Sequence, residues 1–429
     1  MQTVSASPSV VLVTIDCWRL DAVRNMSALN AFARSWLWGA ALCQGASTNS
    51  AFPPLLASEY ALAAYDENGL VKPSVLTLPR VLHEHGYETA AFIGHNPWLE
   101  KWRDQFGEFW NDRIRGGGNP AGPKGRLAVR WAGRLLRLAA LRTRVHASEV
   151  LARGLDWYDA REGPKFLWMH LMDAHEPYCP GLRRGMRLGL LKSYRALMAH
   201  ALRDGRGNGL SAPHRRQLRE LYGQCVESLD AALGEFLTRI PEHAIVLIIG
   251  DHGEEFDHGA FRHARVYEEC VRVPFCLRWG AGGGAPAAFR SEHLRQLDVA
   301  PALAEGLGVP RPDCWKGDPK GKRMVSLAMN GSGKLARFYL SLRTPEWKYI
   351  RVHRLEDMEV RGAELYLLRE DPDESRDLAD DPRFAADRGR LERMLEDELR
   401  ADGIDLSSTV EDKPGVAGVE RHLRELGYL

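Results

Sequence analysis

The chain has 429 residues, enough for one large domain and a smaller one, and its hydrophobic fraction of 45% and charged fraction of 27% are ordinary for a soluble globular protein. The formal net charge of +1 argues against a chain adapted as a whole to nucleic acid or to a membrane. The 7 cysteines are scattered without a CxxC pair, and neither a secretory signal nor an apolar run of ~20 residues is visible. We therefore expect a cytoplasmic protein without a transmembrane segment.

The first predicted strand, residues 10–15, is an apolar run that ends at Asp16. The next informative segment is the polar loop at 45–58, which leads into a helix with prolines in its first turns. Hydroxyls in front of a helix face free backbone N–H groups, where an anion is stabilised. Thr48 and Ser50 are therefore candidate nucleophiles, although capping of the helix is the commoner use of such residues.

Polar side chains also stand at the ends of two further predicted strands, at 86–94 and within 166–178, the second of which is broken by Pro177. His95 and Asn96 come directly after the first of these strands, and His170, Asp173 and His175 stand at the end of the second. A single histidine there would more often be structural, but two histidines and an aspartate together favour a site.

Between these strands, residues 126–144 read as a basic helix. A solvated face is the first interpretation of its arginines, and contact with a membrane surface is the alternative. Residues 181–212 read as an insertion, and 215–240 as a long amphipathic helix.

The strand at 245–250 gives the strongest signal, because Asp251 and His252 follow it at once and His263 lies a short distance beyond. Ligands of open α/β sheets bind beyond the carboxyl ends of the strands. Two aspartates and an imidazole at that edge suit Ca²⁺, Mg²⁺ or Mn²⁺, with Zn²⁺ left open. A cation beside the Thr48 hydroxyl would assist ester cleavage at sulfur or phosphorus.

Further along, 273–278 reads as a strand and 293–307 as a helix. Past residue 330, short antiparallel strands are predicted at 338–343, 347–351 and 364–368, followed by an acidic helix at 386–401. We predict a catalytic α/β domain at 1–330 and a small C-terminal α+β subdomain with a helical tail at 331–429.

In this order, the motifs resemble the sulfatase family of the alkaline phosphatase superfamily over nearly the whole chain. The matching segments are 13–21 (VTIDCWRLD), 86–90 (GYETA), 166–178 (FLWMHLMDAHEPY), 250–256 (GDHGEEF), 347–351 (WKYIR) and 364–368 (ELYLL) with 371–375 (DPDES). The resemblance implies an α/β fold with a large, mostly parallel sheet sandwiched by helices, plus a small antiparallel subdomain.

The resemblance also implies roles for individual residues. Asp16, Asp251 and His252 match ligands of one divalent metal ion, and His175 and His263 match contacts of the sulfuryl or phosphoryl group. The expected substrate-binding residues are His95, Asn96 and Asp173.

The catalytic position departs from the family. Strict sulfatases carry C-x-P-x-R there, with a cysteine or serine converted to formylglycine. Counting back from the LLAS segment at 55–58 places Thr48 at the first position and Phe52 where arginine is expected. Two further departures are Cys17, where a second aspartate is usual, and His95, where a lysine is usual.

Threonine is not converted to formylglycine, so an unmodified nucleophile is implied. Water can attack phosphorus in a phospho-threonine, whereas a sulfo-threonine has no comparable release, and this favours phosphate over sulfate esters. We predict a metal-dependent hydrolase of sulfate or phosphate mono- or diesters. A phosphoglycerol- or phosphoethanolamine-type transferase and a non-catalytic sulfatase-like binding protein are the alternatives. Both glycan-linked and lipid-linked anionic substrates stay open.

Overall fold

The computed structural model describes residues 7–66, 68–112, 145–176, 178, 212–258, 263, 265–280, 284–332, 337–404 and 406. The predicted basic helix at 126–144 lies outside these residues, as does the predicted insertion except for its last residue. No helix in the described part of the chain has the length and apolar character that crossing a membrane requires.

An eight-stranded mixed sheet forms the centre of the molecule, in the order β4-β3-β5-β1-β6-β7-β2-β8. Its strands are β1 (Val10–Ile15), β2 (Leu37–Leu42), β3 (Glu88–Ile93), β4 (Glu108–Asn111), β5 (Lys165–Leu171), β6 (Ile245–Gly250), β7 (Arg272–Arg278) and β8 (Leu294–Arg295). The strands from β4 to β6 in this order are parallel, and β7 runs antiparallel to both β6 and β2. The predicted mostly parallel sheet is confirmed. Strands β2, β4 and β8 went unpredicted, because β2 is rich in glycine and alanine, β4 has 4 residues, and β8 has 2 residues at the start of the predicted helix 293–307.

Helices cover both faces of this sheet. Their bounds are α1 (Ser27–Phe32), α2 (Thr48–Ala57), α3 (Ala61–Ala64), α4 (Leu78–Glu84), α5 (Ala147–Asp159), α6 (Ala212–Leu237), α7 (Glu268–Val271), α8 (Gln296–Gly306) and α9 (Ala385–Ala401). One apolar core lies between the sheet and α2, α4 and α8, and a second lies between the sheet and α1, α5 and α6. Strands β1, β5 and β6 are buried along their whole length, which explains their nearly continuous apolar sequences.

A separate antiparallel sheet contains β9 (Ser326–Ser332), β10 (Arg337–Arg343), β11 (Trp347–Arg354) and β12 (Val360–Leu367). Helix α9 buries Leu391, Leu395 and Leu399 in the same apolar core that contains residues of both sheets. Sequence analysis predicted three of the four strands and the helix. The predicted boundary at residue 330 falls inside β9, and the division into two domains stays a prediction.

A buried cluster of charges joins the small sheet to the main one. The ammonium Nζ of Lys348, on β11, lies 3.2 Å from Glu268 Oε1 and 2.9 Å from Glu374 Oε1. Arg343 Nε lies 3.1 Å from the same Glu268 oxygen. Burial raises the pKa of Glu268, but the charges of Lys348 and Arg343 outweigh it and lower the pKa from 4.5 to about 2.

Replacing Lys348 by methionine should leave two buried carboxylates without their shared cation. We expect the free energy of unfolding to fall by about 3–5 kcal/mol at pH 7, measured by urea denaturation. Because the pKa of Glu268 is lowered on folding, its stabilisation is complete above pH 4.5 and is lost as the pH falls toward about 2. This acid-sensitive part of the stability should be smaller in the variant. Lys320→Met, at an exposed position, is the control, and equal stabilities of the two variants would contradict the prediction.

Candidate active site

The central parallel strands bring their polar ends to one edge of the main sheet. Ile15, the last residue of β1, is in register with Leu171 of β5 and with Gly250 of β6. The residues that follow, Asp16 and Asp251, therefore meet at the same edge. The backbone N–H of Asp16 donates to the Leu171 carbonyl at 2.9 Å, which extends the β1–β5 pairing by one residue.

Asp16, Asp251 and His252 are fully buried at this edge. The Nε2 atom of His252 lies 3.6 Å from Asp16 Oδ1 and 3.6 Å from Asp251 Oδ2, which is too long for a hydrogen bond. Neither His252 Nε2 nor Asp251 Oδ2 has a hydrogen-bond partner among the described residues. Buried polar atoms are normally satisfied. Two such atoms lying 3.6 Å apart without a hydrogen bond between them fit a bound cation. Asp16, Asp251 and His252, the three residues expected to be metal ligands, therefore lie together.

The two carboxylates have opposite pKa shifts. Burial raises the pKa of Asp16, but the charges of His175, His252 and His170 and a hydrogen bond from His170 outweigh it and hold the pKa well below its usual range. Burial and the neighbouring charge of Asp16 raise the pKa of Asp251 well above its usual range. Ionisation of both Asp16 and Asp251 is therefore unfavourable unless a positive charge is bound beside them.

The turn after β1 holds Cys17 in the left-handed region, with φ of 58°. The Tyr222 hydroxyl of α6 fixes this turn, because it donates to the Cys17 carbonyl at 2.9 Å and accepts from the Arg19 N–H at 2.9 Å. The Cys17 sulfur lies 3.1 Å from Asp16 Oδ1 and 3.5 Å from His263 Nδ1. Burial and the surrounding carboxylates raise the pKa of the Cys17 thiol well above its usual value.

Thr48 is the first residue of α2, and its hydroxyl donates to Asp16 Oδ2 at 3.3 Å. Ser47 and Ser50 form a capping box at the same helix end. The Ser50 hydroxyl lies 2.8 Å from the Ser47 hydroxyl and donates to the Ser47 carbonyl at 2.9 Å. Of the two candidate hydroxyls, Ser50 serves the cap, whereas Thr48 contacts the carboxylate of the site.

Phe52, which stands where the family resemblance calls for arginine, is fully buried. Its ring centroid lies 4.9 Å from that of Trp168 and 5.2 Å from that of His170. The Phe52 ring, packed against Trp168 and His170, thus occupies the position of the arginine in the family pattern, one turn after Thr48.

Of the two residues after β3, Asn96 reaches the site. Its side-chain Nδ2 lies 3.4 Å from Asp16 Oδ2 and 3.4 Å from Thr48 Oγ1, and its Oδ1 accepts from the Trp98 N–H. His95, with φ of 59°, instead donates from Nδ1 to the Asp112 carbonyl at 2.6 Å. Its predicted contact with substrate stays a prediction.

His170 was seen at a strand end in the sequence but was not assigned a role. Its Nε2 lies 3.4 Å from Asp16 Oδ2, and its Nδ1 lies 2.8 Å from the Thr14 hydroxyl. The alternation of β5 could have indicated this, because Phe166, Trp168 and His170 share one face of the strand. His170, Asp16 and Asp251 together form one of the groups of side chains able to hold a metal ion.

The imidazole rings of His175 and His263 lie close together, with ring centroids 5.3 Å apart. Their partners differ, since His175 Nδ1 donates to the Glu176 carbonyl at 2.6 Å and His263 Nδ1 lies 3.5 Å from Glu254 Oε1. Asp173 Oδ1 accepts from the Ala147 N–H at 3.1 Å, at the start of α5. The same oxygen lies 3.4 Å from His146 Nε2, and the role of Asp173 in substrate binding stays a prediction.

Comparison with known proteins agrees with this fold. A family model described as Sulfatase matches residues 23–309, more than half of the chain. A curated delta 4,5-hexuronate-2-O-sulfatase from Bacteroides thetaiotaomicron is 26% identical over 198 residues, which are 42% of this chain and 39% of that relative. The chain therefore matches about two fifths of that relative's length.

Two solved structures extend the similarity over almost the whole chain. A protein in complex with its substrate D-glucosamine-2-N,6-O-disulfate aligns with a TM-score of 0.70 and 15% identity, covering 95% of this chain and 100% of that chain. The phosphonate monoester hydrolase of Agrobacterium radiobacter aligns with a TM-score of 0.62 and 17% identity, covering 92% and 95%. At such identities these structures establish the fold.

The α/β fold, with its polar sheet edge, is the fold of these two solved structures. The chain belongs to the sulfatase family, a family of ester hydrolases. The predicted family and fold class are confirmed.

Proposed function

We propose that the protein is a metal-dependent hydrolase of anionic esters, with phosphate and phosphonate esters ahead of sulfate esters and unmodified Thr48 as its nucleophile. The observation that carries the proposal is the position of the Thr48 hydroxyl. It lies 3.3 Å from Asp16 Oδ2, and the other oxygen of the same carboxylate, Oδ1, lies 3.6 Å from His252 Nε2, a buried atom without a hydrogen-bond partner among the described residues.

Asp16, Asp251 and His252 would hold the cation. A bound divalent ion supplies Lewis-acid stabilisation of charge on the ester oxygens and lowers the pKa of a neighbouring hydroxyl. The buried donor set fits this role, because its carboxylates oppose each other in the absence of positive charge and its two unsatisfied atoms, Asp251 Oδ2 and His252 Nε2, lie 3.6 Å apart.

Thr48 stands at the N-terminal end of a 10-residue helix. The free N–H groups and the positive end of the helix dipole favour an anionic ester there. Asp16 accepts a hydrogen bond from the Thr48 hydroxyl, and Asn96 Nδ2 lies 3.4 Å from its oxygen. These contacts orient the oxygen for attack, and Asn96 can donate a hydrogen bond to the anion.

The reaction follows from these positions. The Thr48 hydroxyl gives up its proton to solvent, a bond forms between Thr48 Oγ1 and phosphorus as the bond to the leaving oxygen breaks, and protonated His175 or His263 delivers a proton to that oxygen. Water then attacks phosphorus, the now neutral imidazole takes a proton from that water, and the bond to Thr48 breaks as its oxygen regains a proton from solvent. A sulfate held on threonine has no equally easy release, which is why phosphorus is preferred.

The proposal is tested with a panel of aryl esters assayed after metal removal by EDTA and after addition of Zn²⁺, Mn²⁺, Mg²⁺ or Ca²⁺. The panel contains an aryl phosphate, a bis-aryl phosphate, an aryl phosphonate monoester, an aryl sulfate and a sulfated disaccharide, the last because relatives act on sugar sulfates. We expect metal-dependent turnover of the phosphorus esters and an acid-stable phosphate on the peptide containing Thr48. Turnover of sulfate esters alone, or unchanged turnover without metal, would contradict the proposal.

Replacing Asn96 by alanine should lower kcat for the preferred ester by on the order of 100-fold, because one donor to the developing anion is lost. Asn96→Asp is the matched variant of equal size. It places an acceptor beside Asp16 and Thr48, so a larger loss is expected. Both variants should be measured by steady-state kinetics on the metal-loaded enzyme, and wild-type kcat in Asn96→Asp would show that Asn96 does not face the reacting group.

A further inference from the structure

We infer that the Cys17 thiolate is a ligand of the metal ion, and that the site selects zinc over calcium or magnesium. This inference rests on the metal site of the proposed function and deepens it. It concerns the position where the family resemblance calls for a second aspartate and this chain has cysteine.

The position of the Cys17 sulfur supports direct ligation. It lies 3.1 Å from Asp16 Oδ1, and that oxygen lies 3.6 Å from His252 Nε2, which in turn lies 3.6 Å from Asp251 Oδ2. Ligand atoms bound tetrahedrally to one zinc ion, with bonds of about 2.0–2.3 Å, stand about 3.3–3.8 Å apart. Each distance between neighbouring atoms in this row of sulfur, oxygen, nitrogen and oxygen lies inside that range or a few tenths of an ångström below it.

Two further observations point to a ligand at this place. Asp251 Oδ2 and His252 Nε2 are fully buried and without hydrogen-bond partners among the described residues. Cys17, His252 and His263 also form one of the groups whose donor atoms lie within 4.8 Å of one another. The left-handed backbone of Cys17, fixed by Tyr222, holds its sulfur toward these residues.

The chemistry of the donors selects the ion. Ca²⁺ takes 6–8 oxygen ligands and Mg²⁺ prefers an octahedron of oxygens. Among the described residues, the oxygen donors at this place are the carboxylates of Asp16 and Asp251 and the Thr48 hydroxyl, with the Glu254 carboxylate beside His263. The Cys17 sulfur and the imidazoles of His252 and His263 lie close to one another at the same place. Thiolate and imidazole ligands favour Zn²⁺ and its spectroscopic substitute Co²⁺. The thiol proton passes to solvent as the sulfur–metal bond forms.

The test uses the full chain freed of metal and titrated with Co²⁺, because a thiolate–cobalt bond gives a near-ultraviolet charge-transfer band that oxygen and nitrogen ligands do not give. We expect one equivalent of Co²⁺ to produce this band in the wild type and in Thr48→Ala. Cys17→Ser should lack the band and bind Zn²⁺ on the order of 100-fold more weakly in competition with a chromophoric chelator. Cys314→Ser removes an exposed thiol and should leave both measurements unchanged.

A second variant, Cys17→Asp, restores the carboxylate of the family pattern and should shift the preference toward Ca²⁺ and Mg²⁺. Cobalt binding without the band, or Zn²⁺ affinity unchanged in Cys17→Ser, would overturn the inference and leave the proposed hydrolase intact. A thiolate band without turnover of any ester would instead uphold the inference and contradict the proposed function. Absence of metal binding in the folded wild type would overturn both.

Discussion

Replacing Thr48 by alanine should lower kcat for the preferred phosphorus ester by on the order of 1,000-fold or more, because the attacking oxygen is removed. The substitution leaves Asp16 without the hydrogen bond from Thr48 but keeps the other donors around it. Metal binding should therefore survive, and the trapped phospho-threonine should disappear. Stopped assays with the metal-loaded enzyme and mass spectrometry of the quenched protein measure the two effects.

Two controls separate chemistry from folding. Thr48→Ser keeps a hydroxyl at the same place and should retain turnover within about tenfold of the wild type. Ser50→Ala removes the neighbouring hydroxyl, which contacts Ser47, and should cost about 1 kcal/mol of stability through the lost cap without abolishing turnover. Equal turnover of Thr48→Ala and the wild type would remove Thr48 as the nucleophile.

Replacing Asp251 by asparagine should abolish tight metal binding, since a buried carboxylate ligand becomes a neutral amide of the same size. The wild type should gain about 2.7 kcal/mol of stability at a metal concentration 100 times the Kd, and the variant should gain almost none at that concentration. In metal-free protein the order should reverse. There the variant should unfold at higher temperature, because it removes a buried charge and its repulsion by Asp16, the two causes that raise the pKa of Asp251.

Thermal unfolding with and without metal measures both parts of this prediction, and calorimetric titration gives the affinity. Asp257→Asn, at an exposed residue of the loop that follows β6, serves as the control and should respond to metal as the wild type does. An equal metal-induced rise in the melting temperature of Asp251→Asn and of the wild type would show that the cation is held elsewhere.

The apolar strands and the polar residues that end them were readable in the sequence, because a strand buried on both faces needs a nearly continuous apolar run. This gave the central strands β1, β5 and β6, and the expectation that Asp16 and Asp251 meet at one edge. The register of Ile15 with Leu171 and Gly250 shows them there. Strand β9 was missed because its sequence, SLAMNGS, is short of β-branched and aromatic residues.

The sulfatase-type fold and the set of polar residues at the strand ends could be predicted from the sequence, because apolar runs and family motifs are contiguous segments of the chain. Which of those residues share a site is visible only once the chain is folded. The tertiary structure brings His170 to Asp16, places Ser50 in the cap of α2 and Asp173 at the start of α5, and turns the Cys17 sulfur toward the carboxylate of Asp16. The physical reason is that side-chain direction depends on backbone angles and on packing partners far away in sequence, as Tyr222 shows for the turn at Cys17.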